Sequence, residues 1–129
     1  MRLFRVALVA GFLVTPGCVS IPKPTTEQQQ AADYGPAPTR YQETIGQYFQ
    51  STLKDPSSIQ YRDMTLPAKG FFQNRAPLIE GGKVATVYGW IVNVSINAKN
   101  SYGGYVGFKP YSFLFRAEEI VHTDIPGTE

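Results

Sequence analysis

The chain contains one cysteine and one histidine, so its most reactive side chains are few. With Cys18 as the only thiol, no disulfide can form within one molecule. His122 as the only imidazole excludes multi-histidine metal sites, and no Cys/His cluster has zinc-ligand spacing. No metal and no cofactor are expected. His122 stands near Asp124 and reads as an exposed strand-end residue. A Ser-His-Asp triad can be drawn on paper, but no serine lies in a G-x-S-x-G turn. Glu118 and Glu119 are adjacent and look like a turn; on a strand they would face opposite ways, a poor geometry for paired acid–base work. Asp55 and Asp63 fall at element ends, where capping and turn roles are commoner. Glu80-Gly81-Gly82-Lys83 lacks the spacing and the following helix of a phosphate loop. No catalytic residues are assigned and an enzyme is not expected; a hydrolase would need His122 or a carboxylate pair in a cleft.

One further stretch has chemistry of its own, Asn97-Ala98-Lys99-Asn100-Ser101-Tyr102-Gly103-Gly104-Tyr105-Val106-Gly107-Phe108. Its glycines permit positive φ, and its Asn and Ser side chains satisfy loop backbone groups. As a binding loop it would use Asn97, Lys99, Asn100, Tyr102 and Tyr105, a mix of aromatic faces and adaptable polar groups. As a wide hairpin turn, its tyrosines would instead fold back over the sheet edge. Both readings fit the composition.

The elements that position these residues begin with an export signal. Arg2 and Arg5 form a basic start, Leu3 to Val14 an apolar run, and Thr15-Pro16-Gly17 precedes Cys18. Residues 1–17 therefore read as a signal peptide. The uncharged stretch Val6–Val14 is far shorter than the roughly 20 residues of a membrane span. The arrangement resembles the bacterial lipoprotein class, in which the cysteine becomes the acylated first residue of the mature protein. It departs from the usual lipoprotein box at Thr15, where Leu is commonest, and at Pro16, where a small non-proline residue is usual. The alternative is an ordinary cleaved signal that leaves a free thiol. Val19 is not Asp, which by resemblance to enterobacterial sorting favours the outer membrane, facing the periplasm.

Without residues 1–17, ten basic side chains stand against ten acidic ones. A formally neutral chain with no Lys/Arg stripe lacks the footprint of a nucleic-acid binder. Residues 18–38 carry Pro22, Pro24, Pro36, Pro38 and the run Gln28-Gln29-Gln30, with few apolar side chains. They read as an acylated cysteine followed by a disordered tether. Residues 39–125 read as a single domain and 126–129 as a tail.

Thr39 and Gln42 have capping-box spacing, and Tyr41, Ile45, Tyr48, Phe49 and Leu53 recur at helical intervals until Pro56. The period then changes to two. Ile59, Tyr61 and Thr65-Leu66 suggest a strand, while Phe71 and Phe72 lie in a stretch that local pattern does not assign. Tyr88, Trp90, Val92, Val94 and Ile96 alternate with mostly polar residues in a strand ending near Ala98. Tyr111, Phe113 and Phe115 form the apolar face of the next, and Ile120-Val121 a short last one. The expected fold class is α+β, one N-terminal helix packed on a three- to four-stranded antiparallel sheet, with Trp90, Val92, Val94, Phe113 and Phe115 meeting the helix.

Two segments carry a further resemblance. Leu53-Lys54-Asp55-Pro56-Ser57-Ser58-Ile59-Gln60-Tyr61-Arg62, followed by Gly89-Trp90 and then Val94 through Gly107, is similar to a group of small bacterial exported proteins and lipoproteins. These share a "KDP-S…YR" segment and a "NAKNSYGGY-G" segment, and the likeness spans residues 40–116. The group carries no established activity, so the resemblance implies fold boundaries and no catalytic residues. Its members often have a cysteine ahead of the second motif, where this chain has Trp90-Ile91-Val92. The expected function is that of a membrane-anchored envelope lipoprotein, held by lipid on Cys18, that binds an envelope protein or peptidoglycan. The alternative is an exported inhibitor or small-ligand binder using the 97–108 loop.

Overall fold

A computed structural model describes residues 21–74 and 84–124. The signal segment, Cys18 and the tail lie outside the described residues. The fold is α+β with an antiparallel sheet of five strands and two short helices. Helix α1 spans Thr26–Ala31 and α2 Tyr41–Thr52; a single 3₁₀ turn, Pro56–Ser58, follows. The strands are β1 Gln60–Arg62, β2 Ala68–Asn74, β3 Ala85–Asn97, β4 Lys109–Arg116 and β5 Glu119–Asp124.

The 13-residue β3 is the spine. Along one edge it pairs with β4, Trp90 opposite Phe115 and Ile96 opposite Lys109. Its other edge is shared end to end by two partners. β2 covers Ala85 to Ile91 and β1 covers Ser95 to Asn97. The expected three or four strands become five because Phe71 and Phe72 belong to β2. Neighbouring aromatics there stand on opposite faces, Phe71 beside Tyr88 and Phe72 beside Val87, so the strand shows no clean alternation to read. Beyond β4, β5 extends to Asp124 and is interrupted by an irregularity at Leu114/Phe115.

One face of the sheet carries the core. Val92, Val94, Ile96, Phe113 and Phe115 are buried with Ile45 and Phe49 of α2 in one cluster. Phe49 is 1% exposed. Its ring meets Phe113 at 5.8 Å and Tyr111 at 5.1 Å, both edge-on, the geometry that aromatic quadrupoles favour. Tyr41, Tyr48, Leu53 and Trp90 pack around the cluster half-buried.

The stretch expected as a disordered tether differs from that reading in its described part. Thr25 and Gln28 form a reciprocal capping box, Thr25 N donating to Gln28 Oε1 at 2.9 Å and Gln28 N to Thr25 Oγ1 at 3.2 Å. Tyr34 is buried; its ring lies edge-on to Tyr88 at 5.6 Å and its hydroxyl donates to the Gln29 carbonyl at 2.8 Å. The Trp90 indole donates to the Gly35 carbonyl at 3.0 Å. Arg116 pairs with Asp33 at 3.1 Å, and Gln73 donates to the Pro22 carbonyl at 3.0 Å. Residues 21–38 thus lie as a strap over one end of the sheet. Their prolines suit an extended chain that needs few backbone partners.

The capping box expected at Thr39–Gln42 is replaced by a distant carboxylate. The N-cap of α2 is Arg40, with no side-chain cap of its own. Glu118, in the β4–β5 turn, accepts from Thr39 N at 2.9 Å, Thr39 Oγ1 at 2.7 Å and Arg40 N at 3.0 Å. Those bonds, led by the Thr39 amide, hold its carboxyl below the ordinary 4.5, and a negative charge suits a helix N-terminus.

Candidate functional site

The hairpin joining β3 to β4 is built by the residues that were candidates for binding, and it divides them. Asn97 is buried: its Nδ2 donates to Gln60 Oε1 at 3.2 Å and its Oδ1 accepts from Gly107 N at 3.0 Å. That side chain brackets both ends of the loop. Asn100 is likewise consumed by the turn, its Oδ1 accepting from Tyr102 N at 2.9 Å and Gly104 N at 3.1 Å. A backbone bond from Asn100 N to Gly104 O at 2.8 Å closes the loop. Gly103 sits at φ +81, where L side chains are strained.

Three candidates stay outward. Tyr102 is 97% exposed. Lys99 and Tyr105 face each other across an isolated bridge, with the ammonium 5.5 Å from the ring centre, within cation–π range. The Lys99 amide donates to Ser58 Oγ at 3.1 Å, tying the loop to the turn after α2. Lys54 Nζ reaches Ser101 Oγ at 3.0 Å.

Side chains outside the predicted set complete this end. Arg62 lies over the Phe108 ring at 4.0 Å. Tyr61, paired with Ile96, Val106 and Phe108 are exposed. Of the seven large apolar side chains exposed among the described residues, Tyr102, Tyr105, Val106 and Phe108 belong to this one hairpin, a concentration that calls for explanation, while Tyr61 leans on the core ring of Phe49 at 6.2 Å. Tyr61 and Arg62 were out of reach of local pattern, because only the pairing of β1 beside the end of β3 brings them to the loop.

Three clefts lie elsewhere. One of about 280 Å³ opens on the sheet face opposite α2, lined by Phe72, Ile91, Asn93, Ser112, Leu114, His122 and Asp124 among others. There His122 is half-buried and stacked on Phe72 at 3.3 Å, not the exposed strand-end residue that was expected. Burial lowers its pKa from 6.5 against the opposing pull of Asp124. The Ser112 hydroxyl is bonded to Asn93 Oδ1, so it is directed to that amide. A second cleft, about 460 Å³, runs between α2 and the β4–β5 turn, with Arg40, Glu43, Glu118 and Glu119 in its lining. A third, about 420 Å³, separates the strap from β2 and β3. No residue of the 97–108 loop lines any of the three.

Among the described residues no group of three or more His, Cys, Asp or Glu is placed to hold a metal ion, and no helix is long and apolar enough to cross a membrane. No family model, curated protein or solved structure matches this chain.

Proposed function

We propose that this chain is a bacterial envelope lipoprotein, anchored by lipid on Cys18 to the periplasmic face of the outer membrane, whose folded part is a non-enzymatic binding module. In this reading residues 39–125 form a helix-on-sheet domain, and the exposed end of its β3–β4 hairpin takes an envelope protein or peptidoglycan as partner. Nucleic acid is not a partner.

The observation that carries the reading is the exposure of Tyr102, Tyr105, Val106 and Phe108 within one hairpin at one end of the sheet. Tyrosines at an interface supply large contact area with little rotamer entropy lost. The hairpin below them is braced by Asn97, Asn100 and Ser58, so the surface is pre-organised rather than ordered at binding. A small-ligand or inhibitor role for the same loop is the second reading; the three clefts described above lie away from it.

Two substitutions test the two halves. Cys18→Ser should release the protein from membranes after a high-salt wash, since two or more acyl chains give stable anchoring. Replacing Lys99 and Tyr102 together with Ala should abolish capture of the envelope partner while leaving the melting temperature unchanged, both side chains being exposed. A double variant that captures its partner as well as the parent would remove the hairpin from the function.

A further inference from the structure

Resting on that reading, we infer that the hairpin end recognises an anionic glycan polymer lying away from the anchoring membrane, and that the strap is what directs it there. The argument starts from the two ends of β3. Pro22 is bonded to Gln73, whose partner in the sheet is Thr86. Ile21 to Thr25 line the cleft against Val84, Thr86 and Tyr88. The hairpin leaves β3 at the other end, after Asn97. Thr86 and Asn97 are about 35 Å apart along an extended strand.

Cys18 precedes Ile21 by three residues, a contour of at most about 11 Å. An acyl chain on Cys18 is therefore attached close to the strap end of the molecule. A disordered 20-residue tether would let the domain turn any face to its own membrane. A strap docked by Tyr34, Asp33 and the Trp90 indole contact removes that freedom. The aromatic end is then the end furthest from the anchor.

The hairpin end also carries an excess of positive charge. Around the hairpin stand Lys54, Arg62, Lys99 and Lys109, against Asp55 and Asp63. Asp63 is paired with Arg62 at 3.2 Å, and Asp55 accepts from the Ser57 hydroxyl at 2.6 Å. At the far end the acids Asp33, Glu118 and Glu119 stand among Arg116, Arg40 and Lys69, with Asp33 paired to Arg116. The hairpin end is thus cationic within a formally balanced chain, which fits an anionic partner.

Two features make that partner a glycan. The exposed side chains are aromatic, with Val106 the only aliphatic one, and flat ring faces stack on the C–H faces of sugars. Lys99 lies over Tyr105, and Arg62, itself paired with Asp63, lies over Phe108; stacking therefore falls chiefly to the 97% exposed Tyr102, with Lys99 on the same hairpin to pair a carboxylate on a strand held there. A glycan polymer whose repeating units carry carboxylates, on the sugars or on peptides attached to them, satisfies both. A bilayer surface also carries anionic groups, but the strap puts the anchored membrane at the opposite end.

The test uses the full-length lipoprotein in detergent micelles and isolated peptidoglycan sacculi as the probe. Co-sedimentation with sacculi should weaken roughly tenfold or more in a variant carrying Tyr102→Ala with Lys99→Gln. It should fall similarly when the sacculus carboxylates are converted to amides, and should weaken with added salt. Undiminished binding by the variant, or to amidated sacculi, overturns the inference. Binding to vesicles of anionic phospholipid in preference to sacculi overturns it too. A photo-crosslinker in place of Tyr102, used in cells, separates this inference from the reading beneath it. A single protein adduct with no sacculus binding refutes the glycan and keeps the binding module; neither adduct nor sacculus binding refutes both.

Discussion

Tyr34 decides whether residues 21–38 belong to the folded body. Its ring is 8% exposed, lies edge-on to Tyr88 at 5.6 Å, and has the Lys69 ammonium 5.0 Å above it. Truncation to Ala removes an aromatic burial worth about 1.5–3 kcal/mol, an edge-to-face pair worth about 0.5–1.5, and a hydrogen bond to Gln29 worth about 0.5–1.5 net. Burial measured against an extended chain overstates the gain, so about 2–4 kcal/mol is the working loss. That loss is local. A six-residue helix such as α1 cannot persist alone, so the strap should detach while α2 and the sheet stay folded. An opening free energy lowered by 2–4 kcal/mol raises the open population roughly 30- to 1,000-fold. Hydrogen exchange followed by mass spectrometry on peptides covering 21–40 reads it directly. In the parent, amides such as Gln29, bonded to the Thr25 carbonyl, should be protected. In Tyr34→Ala that protection should fall by the stated factor while β3 and β4 exchange as before. Parent peptides over 21–38 that exchange at the free-chain rate would show that the strap is not docked. Equal deprotection of β3 and β4 in the variant would show instead that Tyr34 supports the whole core.

Three further outcomes follow from the packing. Phe49→Ala empties the centre of the cluster and should cost about 3–5 kcal/mol, read as a fall in the denaturation midpoint; a loss below about 1 kcal/mol would place Phe49 outside the core. Gly89→Ala and Gly70→Ala should differ sharply. A Cβ on Gly89 overlaps the Phe115 carbonyl oxygen, which is backbone in the neighbouring strand, whereas on Gly70 it meets the Ile91 side chain, which can rotate. Gly89→Ala should destabilise by about 1–3 kcal/mol or more and Gly70→Ala by less, and the reverse order in urea melts would contradict the sheet register. Glu118 supplies an acid-sensitive contact. Its folded pKa is depressed below 4.5 by the Thr39 and Arg40 donors, so its contribution is present above that value and lost as pH falls through the folded pKa. Thermal melts from pH 6 down to 3 should drop less steeply in Glu118→Gln than in the parent, and parallel curves would exclude the contact.

The sheet was legible wherever side chains alternate cleanly. From the runs Tyr88 to Ile96 and Tyr111 to Phe115, Val92, Val94, Ile96, Phe113 and Phe115 join the buried cluster, with Trp90 and Tyr111 packed against it, while Tyr88 meets Tyr34 of the strap. β2 was not, because Phe71 and Phe72 serve opposite faces, Pro67 directly precedes the strand and Gly70 lies within it. Among the candidate site residues, the loop's composition marked the hairpin between β3 and β4 but could not say which polar side chains the turn would use up. Asn97 and Asn100 look as available as Lys99 in sequence. Only the closure of the hairpin commits their side-chain oxygens to backbone amides, and only the pairing of β1 adds Tyr61 and Arg62.

The strap shows why local motifs underdetermine such a segment. The pattern Thr-x-x-Gln occurs at Thr25–Gln28 and at Thr39–Gln42. The first builds a capping box in a segment that composition assigns to disorder; the second, ahead of the best amphipathic helix, builds none. The reason is competition for the same donors. A helix start needs an acceptor for its first N–H groups, and any carboxylate brought there by the fold can serve. Glu118, 78 residues from Arg40 along the chain, accepts from the Arg40 amide and both Thr39 donors, leaving Gln42 nothing to cap. At Thr25 no such partner arrives, and the local pair forms. The same logic applies to Tyr34 and Asp33, which find Tyr88 and Arg116. A segment too poor in apolar residues to fold by itself is ordered by a sheet that is already there, and few contacts suffice when the partner surface is pre-formed.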